Sequence, residues 1–146
     1  MNRSIGRAVA VAALLASSLC ACSTTPTGPS TITTTTTTST GTGAIVTETY
    51  SGTLDTGGGN YYFLSVNPGA VTTTLTAVAP DPTVAMGLTV GSFDGLTCTP
   101  VVASETAKLN SVLVGLATAS VTLCLRVYDV GSITETTSYT VTVNHY

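Results

Sequence analysis

Apolar and polar residues alternate in short runs over the last hundred or so positions, and turn residues separate the runs. In "AVTTTLTAVA" (70–79), Val71, Leu75, Ala77 and Ala79 fall on one side and threonines mostly on the other, giving one buried and one wet face. "VAMGLTVGSF" (84–93) groups Val84, Met86, Leu88 and Val90, and "ASVTLCLRVYDVG" groups Val121, Leu123, Leu125 and Val127. The closing "TTSYTVTVNHY" keeps Tyr139, Val141, Val143 and His145 in phase. "VTETYSGTL" runs into the turn "DTGGGN", "YYFLSV" stops at "NPG", "PDP" breaks the chain at 80–82, and "DGLTC" turns into a short run through Val102. One segment, "SETAKLNSVLVGL", is ambiguous: its polar start fits a capped helical turn, whereas 112–116 favours strand. No segment here sustains the helical period of about 3.6 residues. Some eight strands at regular spacing, with Gly, Pro, Asn and Asp between them, predict an all-β protein, a β-sandwich of about eight antiparallel strands.

Composition narrows the class. The chain of 146 residues is 43% hydrophobic and only 8% charged, too apolar for a disordered chain and too evenly patterned for a membrane protein. A net charge of −3 and a pI near 4.6 speak against nucleic acid, which requires a basic face. Beyond Arg3 and Arg7, only Lys108 and Arg126 oppose the carboxylates.

The N-terminus reads differently. "MNRSIGR" is a short basic leader, and "AVAVAALLA" (8–16) is an apolar run well short of the roughly 20 residues that span a bilayer. Small residues then precede a cysteine, the layout of a secretory signal peptide. "LCAC" (19–22) resembles the lipobox of bacterial lipoproteins, with Leu19 at −3, Ala21 at −1 and Cys22 as the modified cysteine. The resemblance implies cleavage after residue 21, a diacylglycerol thioether on Cys22 and often acylation of its freed amine. Two or three acyl chains make a stable membrane anchor. Ser23, rather than Asp, after the cysteine implies the outer membrane if the host is Gram-negative.

On that reading Cys20 leaves with the signal peptide and Cys22 is alkylated, so Cys98 and Cys124 remain in an oxidising compartment and are expected to pair. The bond would stabilise the domain by about 3.5 kcal/mol on the chain-entropy model. Metal binding by this pair is not expected, since no His or third Cys accompanies it. Between the anchor and the domain, "STTPTGPSTITTTTTTSTGTG" holds a single large apolar residue, Ile32, and cannot bury enough surface to offset ordering. The expected organisation is a lipoprotein signal peptide at 1–21, a lipidated cysteine with a disordered Thr-rich tether at 22–43, and a β-sandwich at 44–146.

The sandwich region also resembles a family. "GTLDTGGGNYYFLSVNPGAVTTTLTAV", followed by "VLVGL", "VTLCLRVYDVG" and "TSYTVTV", resembles the bacterial pre-peptidase C-terminal domain over nearly all of 48–145. Its carriers are the aromatic "YYF" strand after a Gly-rich loop, the "RVYD" strand and the closing "SYTVTV". The resemblance implies a small jelly-roll-like sandwich on an exported protein, with roles in targeting, surface binding or solubilisation. Asn60 stands where the family commonly has Asp, and no peptidase is attached. Some members hold calcium near this edge; only Glu48 and Asp55 lie there, far short of the six to eight oxygens calcium takes. No cofactor is otherwise expected.

Catalytic devices are sparse. The single histidine, His145, is penultimate, where fraying is expected, and a nucleophile–base pair built on it would be poorly held. Asp55, Asp81, Asp94 and Asp129 sit beside Gly, Pro or other turn residues, where Asp most often bonds nearby backbone. No catalytic residue is assigned. Binding is the better prospect: if Tyr62, Leu64 and Val66 point inward, Tyr61 and Phe63 point out as candidates to stack on a sugar ring or clasp a peptide. Arg126, out of phase with its inward neighbours, is expected to be a solvated charge pairing with a carboxylate on the next strand. The expectation is a non-catalytic, lipid-anchored envelope protein, an accessory or binding module whose partners are the bilayer and envelope glycans or proteins. The alternatives are a carbohydrate-binding module using exposed aromatics, and a hydrolase with two convergent carboxylates.

Overall fold

The structure is a computed structural model that describes residues 31–37 and 43–146. The expected signal peptide, Cys20, the expected lipidation site Cys22 and the remainder of the expected tether lie outside the described residues. Nine strands follow in chain order: β1 (Thr31–Thr37), β2 (Ile45–Leu54), β3 (Gly59–Val66), β4 (Gly69–Ala79), β5 (Met86–Phe93), β6 (Cys98–Ala107), β7 (Val112–Ala117), β8 (Val121–Tyr128) and β9 (Thr137–His145). They form a five-stranded sheet, β1-β2-β9-β4-β7, and a four-stranded sheet, β3-β8-β5-β6, with antiparallel pairing throughout. No described helix is long and apolar enough to cross a membrane.

The winding is that of a jelly roll. β2 pairs with β9, β3 with β8, β4 with β7 and β5 with β6, so the chain is one long hairpin closed between β5 and β6. Successive pairs of that hairpin alternate between the sheets, and the β4–β9 and β5–β8 pairings knit each sheet together. The predicted fold class is therefore the observed one.

Alternation puts every second side chain into the space between the sheets. Tyr50, Leu75, Met86, Leu125, Val127 and Val141 are among the fully buried residues of a core that runs through all the strands from β2 to β9. In β4 the expected face is right only at its start. A bulge between Leu75 and Ala77 inserts an extra residue against β9, so Val78 turns inward while Ala77 and Ala79 face out. Thr73 stands inside with Val71 and Leu75.

Two other sequence expectations change. "SETAKLNS" forms no helical turn: β6 runs to Ala107, and Ser111 donates to the Lys108 carbonyl at 2.9 Å across a β-turn. Asn110 takes the left-handed conformation (φ 70°) that such a turn asks of its third residue and that Asn tolerates. Residues 31–37, assigned to the disordered tether, form β1 on the edge of the five-stranded sheet, from Thr31 opposite Ser51 to Thr37 opposite Ile45. A threonine run has no apolar face to drive a core, but β-branching favours extended backbone, and β2 offers an unpaired edge.

Candidate functional site

The outward side of β3 carries Tyr61 and Phe63, which are 52% and 49% exposed, while Asn60, Tyr62, Leu64 and Val66 face in. The expected phase of "YYFLSV" is the observed one. On the same outer face, β8 presents Arg126 directly opposite Tyr61, and Cys124 opposite Phe63. β5 adds Phe93, whose ring centroid lies 4.5 Å from that of Phe63 in a tilted pair. Tyr128, also on β8, completes a row of rings along the sheet.

Arg126 is held by rings rather than by acids. Its guanidinium carbon lies 4.2 Å from the Tyr128 centroid and 5.3 Å from the Tyr61 centroid, both within cation–π range. The expected carboxylate partner is absent: among the described residues Arg126 has no ion pair and no hydrogen bond to protein, and its Nε is buried without an acceptor. A ring of its own strand and one of the neighbouring strand, not an acid, position this charge.

Glycines let the layer lie flat. Tyr128 rests over Gly87, where an added Cβ would fall 2.2 Å from the ring. At Gly91 an added Cβ would meet the Thr99 carbonyl oxygen at 2.4 Å and Cys124 Sγ at 3.1 Å. That gap admits the Cys98–Cys124 disulfide, which forms as expected and joins β6 to β8 with its Cα atoms 5.9 Å apart.

The acids lie elsewhere. Glu48 points into the sandwich, where it accepts a hydrogen bond from the Tyr50 hydroxyl and lies 3.6 Å from His145 Nε2. His145 is not frayed: it is the last residue of β9 and only 3% exposed. Burial, and then the adjoining Glu48 carboxylate, push the Tyr50 hydroxyl well above its ordinary range. Asp55, at the far end of β2, accepts from the Thr136 hydroxyl at 2.6 Å. Seven residues along a strand separate Glu48 from Asp55 by about 23 Å, so these two calcium candidates do not converge. Among the described residues no group of three potential metal ligands forms.

The turn acids do what such residues do in turns. Asp81 accepts from the Thr83 amide, and Asp94 accepts from the amides of Leu96 and Thr97. Asp129 accepts from the amides of Gly57, Gly131, Ser132 and Ile133, fastening two loops beside the aromatic row. Burial works against its charge, yet these amides hold its carboxyl below the usual range.

Sequence reasoning missed a buried polar cluster. The Tyr62 and Tyr139 hydroxyls lie 2.7 Å apart, and Asn60 Nδ2 donates to Tyr139 Oη at 2.7 Å and to the Thr53 carbonyl at 2.9 Å. It also missed an apolar cleft of about 270 Å³ lined by Val71, Val90, Val102, Leu116, Ala117 and Leu123. The cleft adjoins β7, an edge strand whose outward Val112, Val114 and Leu116 are all more than half exposed.

No family model and no curated protein matches the chain. Among solved structures it is similar to Aeromonas hydrophila PliG, a periplasmic lysozyme inhibitor of g-type lysozyme. That likeness has a TM-score of 0.49 at 14% identity and covers 66% of this chain and 83% of the other.

Proposed function

We propose that this protein is an exported, lipid-anchored, non-catalytic binding module that presents the outer face of its four-stranded sheet to a glycan of the cell envelope. The single observation carrying the reading is the ring row on that face, with Tyr61 and Phe63 half-exposed on a rigid, disulfide-tied sheet. A solvated aromatic costs less to cover than to leave wet, and the faces of sugar rings carry C–H groups that pack on such rings. Strand spacings of about 4.8 Å and rises of about 3.3 Å give the row a footprint near 10 by 20 Å, room for a few sugar units. A jelly-roll sandwich is also what the resemblance to pre-peptidase C-terminal domains implies, although a fold this widely used names no ligand.

The anchor and export follow from the lipobox resemblance and from the leader sequence. Intact-mass measurement of the protein from membranes tests them together: diacylglycerol on Cys22 and loss of residues 1–21 are expected, and an unmodified chain starting at Met1 would refute both. For the face itself, pull-down on insoluble envelope polysaccharide is expected to retain the protein and to release the Tyr61→Ala/Phe63→Ala double variant.

A protein partner is the second reading, favoured by the apolar outward stripe of β7 and its unpaired edge. An extended, apolar segment would add there as a further strand. Val114→Glu would abolish that binding and leave retention on polysaccharide unchanged.

A further inference from the structure

We propose that Arg126 makes the aromatic face selective for acidic glycans, those whose sugar rings carry a carboxylate. The inference rests on the glycan-binding reading above and adds to it the chemistry of the ligand.

Arg126 is a cation whose hydrogen-bonding capacity is unspent. A guanidinium carries five N–H donors in a planar fork; here Nε is buried without an acceptor, and among the described residues the four N–H groups of the terminal nitrogens make no hydrogen bond or ion pair with protein. Buried or half-buried arginines usually meet a carboxylate, as sequence reasoning expected here. Instead Tyr61 and Tyr128 hold the plane at 5.3 and 4.2 Å from their centroids, fixing its position without consuming its donors. With Nε enclosed, the two terminal nitrogens are pre-organised for a bidentate acceptor arriving end-on from solvent.

The neighbouring rings say what the acceptor is attached to. Tyr61 stands directly across from Arg126 in the β3–β8 register and is half exposed. A sugar packed on Tyr61 places a carboxylate carried on its ring within reach of the guanidinium. An acidic peptide would use the charge but not the flat row formed by Tyr61, Phe63 and Phe93. Non-specific attraction of polyanions is not available to this chain, because Lys108 and Arg126 alone face the seven carboxylates beyond residue 43. Selectivity has to come from contact, so binding should fall only shallowly as salt is raised.

The test compares three probes on the full domain by titration calorimetry: polygalacturonate, its fully methyl-esterified form, and poly-glutamate. Esterification keeps the sugar ring and removes the charge, while poly-glutamate keeps the charge and removes the ring. Polygalacturonate is expected to bind about tenfold more tightly than either control, the value of a charge-assisted bidentate contact. Arg126→Gln is expected to erase that difference, lowering affinity for the acid to that of the ester. Equal binding of acid and ester would overturn the role of Arg126 while leaving the glycan reading standing. Poly-glutamate binding as tightly as polygalacturonate would overturn the sugar specificity and mark an acidic-peptide site. Failure of both the acid and the ester to bind would overturn the platform reading itself. Because the ester arm uses the unaltered protein, the result does not depend on Arg126→Gln folding.

Discussion

The outward faces of the two sheets arise from the same strand alternation and carry opposite chemistry. On β2, β9 and the middle of β4 in the five-stranded sheet, the outward residues are mostly hydroxyls and amides that satisfy one another, while the edge strand β7 carries the apolar stripe of Val112, Val114 and Leu116. Thr47 donates to Asn144 at 2.7 Å, the Ser51 and Thr140 hydroxyls lie 3.0 Å apart, and Thr76 donates to the Thr140 carbonyl at 3.2 Å. On β3, β8 and β5 of the four-stranded sheet the outward residues include rings, a disulfide and an arginine that has no acceptor among the described residues. A face whose groups are already paired with each other gains little from a ligand, because each contact made replaces one lost. A face of half-wet rings and an unspent guanidinium has affinity still to gain. The contrast is the ground for proposing the glycan-binding surface on the four-stranded sheet of a molecule whose two layers share a single core.

Removing the disulfide should have the largest effect. It closes a separation of 26 residues and ties β6 to β8 beneath the rings, so Cys98→Ser/Cys124→Ser is expected to cost about 3.5 kcal/mol in denaturant unfolding. No pair of substitutions on the threonine face should approach that. Next comes Tyr61→Ala/Phe63→Ala, which should weaken glycan binding by at least about 1.5 kcal/mol, or roughly tenfold, with stability changed by less than about 1 kcal/mol. Loss of stability and binding together would make the rings structural and dissolve the contrast.

Gly87→Ala probes the support of Arg126 without touching the arginine itself. The three atoms nearest the new Cβ all belong to the ring of Tyr128, a side chain that can swing away, so the fold should survive. Arg126 would lose its nearer ring, and affinity should fall about threefold on isothermal titration, with the melting temperature nearly unchanged.

Much of this was legible in the alternation, and the exceptions have physical reasons. The outward placement of Tyr61 and Phe63 and the inward sets of β8 and β9 follow from a period of two, which any bulge-free strand obeys. In β4 a single inserted residue after Leu75 reversed the faces of Ala77 and Val78, and no apolar spacing announces a bulge. β1 escaped because a strand of threonines has no period to read. The stacking of Arg126 on Tyr61 depends on β3 lying beside β8, a pairing of positions far apart in the chain. Local spacing makes such an arginine look merely solvated. The burial of His145 follows from the same long-range closure, since β9 lies between β2 and β4 rather than hanging at a free end.

A smaller effect concerns acid. Asp94 and Asp129, in loops that border the aromatic row, are both held below the ordinary carboxylate range of 3.8, Asp94 at about 2, by hydrogen bonds from neighbouring amides and, for Asp94, the Thr97 hydroxyl. A carboxyl with a lower value in the folded state contributes stability above its unfolded value and loses it as pH falls through the folded one. Melting temperature should therefore be flat from neutral pH down to about 5 and decline below 4, with a shallower decline in Asp129→Asn. An unchanged acid limb in that variant would remove Asp129 from the account. Smallest of all, Thr47→Ala and Thr142→Ala should each shift stability by less than about 0.5 kcal/mol and leave binding alone.

Mapping chemical-shift changes across the domain during titration with polygalacturonate distinguishes the two faces residue by residue. Changes are expected to cluster at Tyr61, Phe63, Phe93, Arg126 and Tyr128, with Thr47, Ser51, Thr140 and Thr142 silent. Changes of equal size on the threonine face, or changes confined to it, would rule out the aromatic row as the glycan site.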